Sequence, residues 1–267
     1  MIKIDNLTPE NLGDVFKICS FNRPEDDIVV KGREIRTKWL TKMLEELGSC
    51  TKIAYYEDRP VAQILFYPEE EMRYLSNKRK GVVHIQCVYN AFQETQGLGA
   101  GTALVNSLIE DCKEGLEILN GEPCAFIVGY PFPSTEGITL SWFFPKIGFK
   151  EGNDEYYLEI HGEYYPREIP EHTPLPEDKG SVVIFYNPTC EFGYFYANQA
   201  KLLMQQNFEN LPITIYNVWE DYEEYLKRPQ QSMVAARTIV NQQPINDFLF
   251  WTDIESWLDG INKNLYN

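Results

Sequence analysis

Gln96-Gly97-Leu98-Gly99-Ala100-Gly101 lies between the apolar run Val82-Val83-His84-Ile85-Gln86-Cys87-Val88 and a helical pattern from Thr102 to Glu114. The order reads as strand, glycine loop, helix. Three glycines in five positions let the backbone turn tightly with its N–H groups converging, and the helix behind them adds about half a positive charge. Such a loop is an anion cradle suited to a pyrophosphate. Alone, the pattern equally opens a dinucleotide-binding βαβ unit, or merely lets a helix pack close to a strand. In each case it places the chain among α/β folds.

A second segment, Trp142-Phe143-Phe144-Pro145-Lys146-Ile147-Gly148-Phe149, lies downstream. The two together resemble the GNAT acetyltransferase family. Its loop pattern, Gln/Arg-x-x-Gly-x-Gly/Ala, is matched by Gln96, Gly99 and Gly101, and the later segment is similar to the Phe-Tyr-x-Lys-x-Gly-Phe stretch after the family's fifth strand. The resemblance covers residues 1–165 and implies a mixed-sheet acyl-CoA N-acyltransferase domain of α/β (α+β) class. It also implies acetyl-CoA as cofactor. Gly97, Leu98, Gly99, Ala100, Gly101 and Thr102 would then give backbone N–H groups to the pyrophosphate, with Gln96 beginning the loop. Val88 and Tyr89, at the end of the fourth strand, would pair with the pantetheine arm. The link from Tyr89 to Thr95 is a few residues longer than the family's usual one.

The charge balance narrows the partners. Lys and Arg total 24 against 40 Asp and Glu, and a net charge of −16 repels a phosphate backbone. Nucleic acid is excluded on this reading. The same field attracts a cationic amine and opposes a polyanionic cofactor, so local loop geometry must overcome it where coenzyme A binds. Cysteines at 19, 50, 87, 112, 124 and 190 form no Cys-x-x-Cys pair, and Met1-Ile2-Lys3-Ile4-Asp5 lacks a signal-peptide core, which points to the cytoplasm. No apolar run approaches the ~20 residues of a membrane span. His84, His161 and His172 are too widely spaced to suggest a metal site.

Along the chain, Ile2 and Ile4 read as a strand, and Thr8-Pro9-Glu10 as the start of a helix running to Ser20. A second helix is expected over 32–47, with Ile35, Trp39, Met43 and Leu47 on its core face. Lys52 to Tyr56 and Pro60 to Tyr67 make a hairpin, and Val82 to Val88 leads to the glycine loop. The helix from Thr102 buries Leu104, Leu108, Ile109 and Cys112; Cys124 to Gly129 reads as a strand covered on both faces. Pro131 to Ser134 ends it, Glu136 to Ile147 supplies a helix with Pro145 late in it, and Tyr156 to Ile160 a last strand.

Pro166, Pro170, Pro174 and Pro176 stand among charged residues and mark 166–179 as a solvated linker. Beyond it, 180–267 read as strand (Val182 to Tyr186), helix (Glu191 to Phe208), strand (Ile213 to Val218), helix (Glu220 to Leu226), hairpin (Arg237 to Phe250) and final helix (Thr252 to Ile261). This order resembles a small thioredoxin-like domain, and its union with an acetyltransferase resembles bacterial YoaP-type proteins.

The family resemblance implies direct attack of an amine on the acetyl thioester, with a base to take the amine proton and an acid for the leaving thiolate. The family's acid, a tyrosine, falls at Phe144, which cannot donate. Tyr130, at the end of the fifth strand, is the nearest replacement, ahead of Ser141; Glu94 and His84 are candidate bases, against their readings as a surface carboxylate and a satisfied strand histidine. Cys190 stands before a helix, where the dipole lowers a thiol pKa, but Gly193 occupies the position of a resolving cysteine and Glu191 disfavours the thiolate. No proline occupies the turn immediately before the Arg237 strand, where thioredoxins keep theirs. The expected activity is N-acetyl transfer to a primary amine of a small molecule or peptide. A coenzyme-binding sensor without turnover and a single-cysteine redox protein are the alternatives.

Overall fold

In a computed structural model, residues 1–131, 138–228, 237–245 and 253–266 are described. They fall into two compact units. Unit 1 is Met1–Pro24, Thr37–Met72 and Lys78–Arg167; unit 2 is Glu25–Arg36, Arg73–Asn77 and Glu168–Asn267.

The first eleven elements are β1 (Ile2–Asn6), α1 (Asp14–Cys19), α2 (Asp27–Glu46), β2 (Thr51–Tyr56), β3 (Arg59–Pro68), β4 (Val82–Asn90), α3 (Ala100–Glu114), β5 (Phe126–Gly129), α4 (Leu140–Lys146), β6 (Lys150–Glu151) and β7 (Tyr156–Glu159). The strands form one sheet in the order β1-β2-β3-β4-β5-β7-β6. Its neighbours are antiparallel except β4 and β5, which run parallel across the α3 crossover. The α/β fold with a mixed sheet expected from the sequence is the one the chain forms.

Strand alternation decides what each face meets. Ile64, Phe66, Val83, Ile85 and Ile127 join Leu104, Val105, Leu108 and Cys112 of α3 in one core cluster. Gln63 points the other way and donates from Nε2 to Cys19 Sγ, which puts α1 on the opposite face. The β2–β3 turn is the two-residue Glu57-Asp58, both at positive φ, as the twist of a tight hairpin requires.

Two helix starts differ from expectation. Asn11 Oδ1 accepts the Thr8 N–H at 2.7 Å and holds 8–13 in turns, so α1 begins only at Asp14. Asp26 Oδ1 accepts the Ile28 and Val29 N–H groups, so α2 is capped there and starts five residues before Gly32. Likewise α3 begins at Ala100, with Gly99 as its N-cap, and β4 extends to Asn90. Residues 132–137, including the Pro131 to Ser134 turn beyond Pro131 and the expected start at Glu136, lie outside the described residues, and the described part of α4 begins at Leu140.

Unit 2 continues with β8 (Val182–Tyr186), α5 (Glu191–Asn207), β9 (Ile213–Asn217), α6 (Tyr222–Leu226), β10 (Arg237–Val240), β11 (Gln243–Ile245) and α7 (Ile254–Tyr266). Its sheet runs β11-β10-β8-β9, with β8 and β9 parallel and the other pairs antiparallel. The stretch before Arg237 and the expected strand to Phe250 fall at 229–236 and 246–252, outside the described residues. Two pieces expected in the first domain cluster here for clear reasons. Arg36 Nη1 donates to Glu191 Oε2 at 2.7 Å, both side chains being buried, and the Gly32 backbone packs directly on the Glu191 carbonyl. Tyr74 sits edge-on to both Trp219 and Tyr225. Nor is 166–179 a solvated linker throughout: Arg167 and Asp178 are buried, and Asp178 accepts two hydrogen bonds from Arg228.

Candidate functional site

The site in unit 1 is built where β4 and β5 part. Their ladder covers Val82–Ile85 against Phe126–Gly129 and stops there, while β4 itself runs on to Asn90. Just past the last rung β4 carries a bulge: Leu65 faces Cys87 but Phe66 faces Ile85, so Gln86 is the extra residue. A bulge bends a strand and re-aims its side chains. Gln86 Oε1 accepts from the Tyr67 hydroxyl at 2.7 Å. Val88 and Tyr89 lie beyond the ladder, paired to Ile64 and Gln63 of β3.

The long link into the loop is knit by Asn90, which the sequence reading missed. Its Oδ1 accepts the Phe92 N–H at 3.1 Å and lies 3.0 Å from Thr95 Oγ1, and its Nδ2 donates to Thr95 O at 3.3 Å. A buried Thr95 thus ends a self-bonded turn at the foot of the glycine loop. An Asn five residues before a Thr is a weak sequence signal; its meaning comes from the closed ring of bonds.

In the loop, Gly97 and Gly99 have φ of 81° and 84°, which side-chain-bearing residues rarely adopt. A β-carbon on either would meet nothing within 4 Å, so the backbone alone demands glycine and the space above it is open. The Ala103 N–H makes the first bond of α3, to Gly99 O at 2.9 Å. Among the described residues, the amides of Gly97, Gly99, Ala100, Gly101 and Thr102 have no hydrogen-bond partner, as the first turn of a helix leaves them. The Leu98 amide is different: it donates to Thr95 O at 3.3 Å, which corrects its expected place in the cradle. Gln96 is exposed at the loop's start, its own amide bonded to Gln93 O. Gly101 closes the floor, its missing side chain facing Phe143 at 3.5 Å and Val88 at 3.8 Å. Open space, orphaned amides and a fifteen-residue helix behind them fit a pyrophosphate.

Of the two candidate bases, Glu94 is held in an ion pair and His84 lies in the core. Glu94 pairs with Arg59 at 2.6 Å, Arg59 also lying over the Phe92 ring, and that hydrogen bond holds the Glu94 carboxyl below its usual range. A carboxylate tied to a guanidinium is a poor proton acceptor. His84 is fully buried on β4, beside Tyr67, and both ring nitrogens lack a hydrogen-bond partner among the described residues. Burial first, then Arg79 and Arg167, push it down to about 3. It is neither the satisfied histidine nor the base that the sequence offered.

Tyr130 follows Gly129 at the end of β5, half-buried, where the strands part. Phe144 is fully buried, packed on Phe149, Tyr156 and Gly129. Tyr156, the cross-strand partner of Gly129, is a second tyrosine at this point, which the sequence order alone did not bring there.

In unit 2, Cys190 stands at the start of α5, where desolvation and then the Glu191 charge push its thiol up to about 11, Glu191 acting in the direction expected from the sequence. Among the described residues the six cysteines form no disulfide. Among the described residues there is no cluster of metal-ligating side chains, and no helix is long and apolar enough to cross a membrane.

No family model matches the chain, and no curated protein does. Solved structures with a similar fold exist. A GNAT family acetyltransferase from Brucella melitensis, in complex with acetyl-CoA, covers 62% of this chain and 92% of its own at 17% identity and a TM-score of 0.38. A ribosomal-protein alanine N-acetyltransferase from Escherichia coli covers 61% and 97% at 14% identity and 0.41, and an N-acetyltransferase from Staphylococcus aureus 60% and 99% at 14% and 0.41. Likeness of this degree carries no function across.

Proposed function

We propose that unit 1 is an acetyl-CoA-dependent N-acetyltransferase acting on a primary amine of a small molecule or peptide. The observation that carries this reading is the row of amides at 97 and 99–102, without partners among the described residues, at the N-terminus of α3, opening beside two strands that part. Gly97, Gly99, Ala100, Gly101 and Thr102 would hold the pyrophosphate, and the β4 backbone at Val88 and Tyr89 the pantetheine arm. When bound, the coenzyme supplies an activated acetyl thioester. The two motifs that resemble the GNAT family agree with this assignment.

This chain's own residues then orient the thioester in the gap past Ile85 and Gly129 and return a proton to the leaving thiolate. Tyr130 serves as that acid, because Phe144 has no hydroxyl. With Glu94 and His84 set aside, no side chain among the described residues acts as a strong base, so the amine attacks in its neutral form, the proton it sheds as the C–N bond forms passes to water, and water returns a proton to Tyr130 after the thiolate has left. The chain's net charge of −16 favours cationic acceptors. Unit 2, whose strand and helix order agrees with a thioredoxin-like domain, takes no redox role in this reading, since a thiol near 11 is almost wholly protonated at neutral pH.

The test is release of free thiol from acetyl-CoA across panels of polyamines, aminoglycosides and basic and acidic peptides. Turnover with amines of net positive charge supports the proposal. Coenzyme binding with no turnover on any amine supports the sensor instead.

A further inference from the structure

Cys112 and Cys124 come from different elements of unit 1 and meet inside it. Cys112 lies in the last turn of α3, and Cys124 stands two residues before β5 begins. Both side chains are fully buried in the core cluster that α3 shares with the sheet. The Cys112 thiol hydrogen-bonds to the Cys124 sulfur, and that bond, ahead of burial, holds the Cys112 proton and pushes its thiol up. Lys52, whose ammonium is held by Asn6 Oδ1 at 2.9 Å and Asp111 Oδ2 at 2.6 Å, works the other way as a nearby cation. The proposed acetyl transfer uses neither sulfur.

The chain between the two cysteines is a string of turns. Residues 113–115, 117 and 120–123 are exposed, and Gly115, Asn120 and Gly121 have positive φ. Leu116, Ile118 and Leu119 fasten it to the core. A turn-rich surface segment opens locally at less cost than the strands it joins. Cys124 follows the exposed Pro123 directly, so its sulfur is the first that such an opening uncovers.

We propose that Cys112 and Cys124 are a reversible disulfide pair, closed by a low-molecular-weight disulfide of the glutathione class. The Cys124 thiol gives up its proton and attacks one sulfur of the small disulfide, which releases one small thiol and leaves a mixed disulfide on Cys124. The Cys112 thiol then gives up its proton and attacks the Cys124 sulfur, and the second small thiol leaves. The protein loses two electrons and two protons, and one small disulfide is reduced to two thiols. Sulfurs already in hydrogen-bond contact have only to close to a bond length of about 2 Å, so the fold is not rebuilt. The bond ties the foot of α3 to the chain entering β5 and closes a loop in the unfolded chain, which stabilises unit 1. The glycine loop lies at the other end of α3, and the inference is independent of the acetyl-CoA reading.

Oxidised glutathione in excess over reduced glutathione, applied to the full chain under native conditions, tests this. Free thiols are then alkylated in denaturant and the chain is cut after glutamate, which yields Asp111–Glu114, with Cys112 alone, and Ile118–Glu136, with Cys124 alone. The expected result is these two peptides joined by a disulfide, a thermal midpoint raised by about 5 °C, and reversal of both by dithiothreitol. Cys112→Ala instead carries glutathione on Cys124 and shows no rise. Both cysteines recovered alkylated from the native chain would overturn the proposal, and so would a bond that forms only in urea, or either cysteine joined to a different one.

Discussion

The ring of Phe144 occupies the space that a side chain on Gly129 would need. A β-carbon there would meet ring carbon Cε2 at 2.7 Å, and Cζ closer still. Gly129 ends the β4–β5 ladder, so this contact sets the spot where the two strands part. The ring is held from behind by Phe149 and Tyr156 and has nowhere to retreat. Gly129→Ala therefore destabilises the fold by about 1–3 kcal/mol, as overpacking does. Urea unfolding measures it, and an unchanged midpoint would show that the ring moves freely.

The proposed reaction gives Tyr130 the role of acid. Tyr130→Phe lowers kcat about 10²-fold with little change in acetyl-CoA affinity, because a proton donor acts in the transition state. Tyr156→Phe is the companion variant. Should it be the one that loses kcat, the donor is the tyrosine across from Gly129.

His84 makes stability depend on pH. Its folded pKa of about 3 lies below its ordinary 6.5, so the unfolded chain takes up a proton that the folded chain refuses. The contribution is fully present above pH 6.5 and is lost as pH falls toward 3, by about 1.4 kcal/mol per unit. His84→Leu removes two buried ring nitrogens that lack hydrogen bonds and flattens this slope. Chemical denaturation at pH 5, 6 and 7 shows it: the two proteins should diverge most at pH 5, and parallel curves would refute the assignment.

Asn90 shapes the loop at a distance. Asn90→Ala removes its bonds to Phe92 and Thr95, costs about 1–2 kcal/mol of stability, and weakens acetyl-CoA binding about tenfold through a looser cradle. Thermal melts and titration together check it; tighter binding would contradict the role.

The glycine loop was legible because its logic is local: Gly97 and Gly99 need positive φ whatever surrounds them, and a strand and a helix flank them directly. The Gln86 bulge was not, because it exists only in the register between β4 and β3. Glu25–Arg36 read as part of the first domain, since nothing near Arg36 in sequence announces a partner at Glu191. His84 looked like a base by residue type, and only tertiary burial reveals an imidazole kept neutral. Glu94 needed Arg59, thirty-five residues away, to be recognised as occupied.

The central claim, that the loop at the head of α3 holds the coenzyme's pyrophosphate, is met most directly by calorimetric titration with acetyl-CoA. The unaltered chain is compared with Gly101→Glu and with Gly99→Glu/Gly101→Glu. Gly101 has no positive φ and only ordinary contacts around its missing side chain, so its single variant folds and changes just the charge and bulk of the cradle. The account predicts one-to-one binding by the unaltered chain and its loss in both variants. Binding that persists with a carboxylate at position 101 would contradict it.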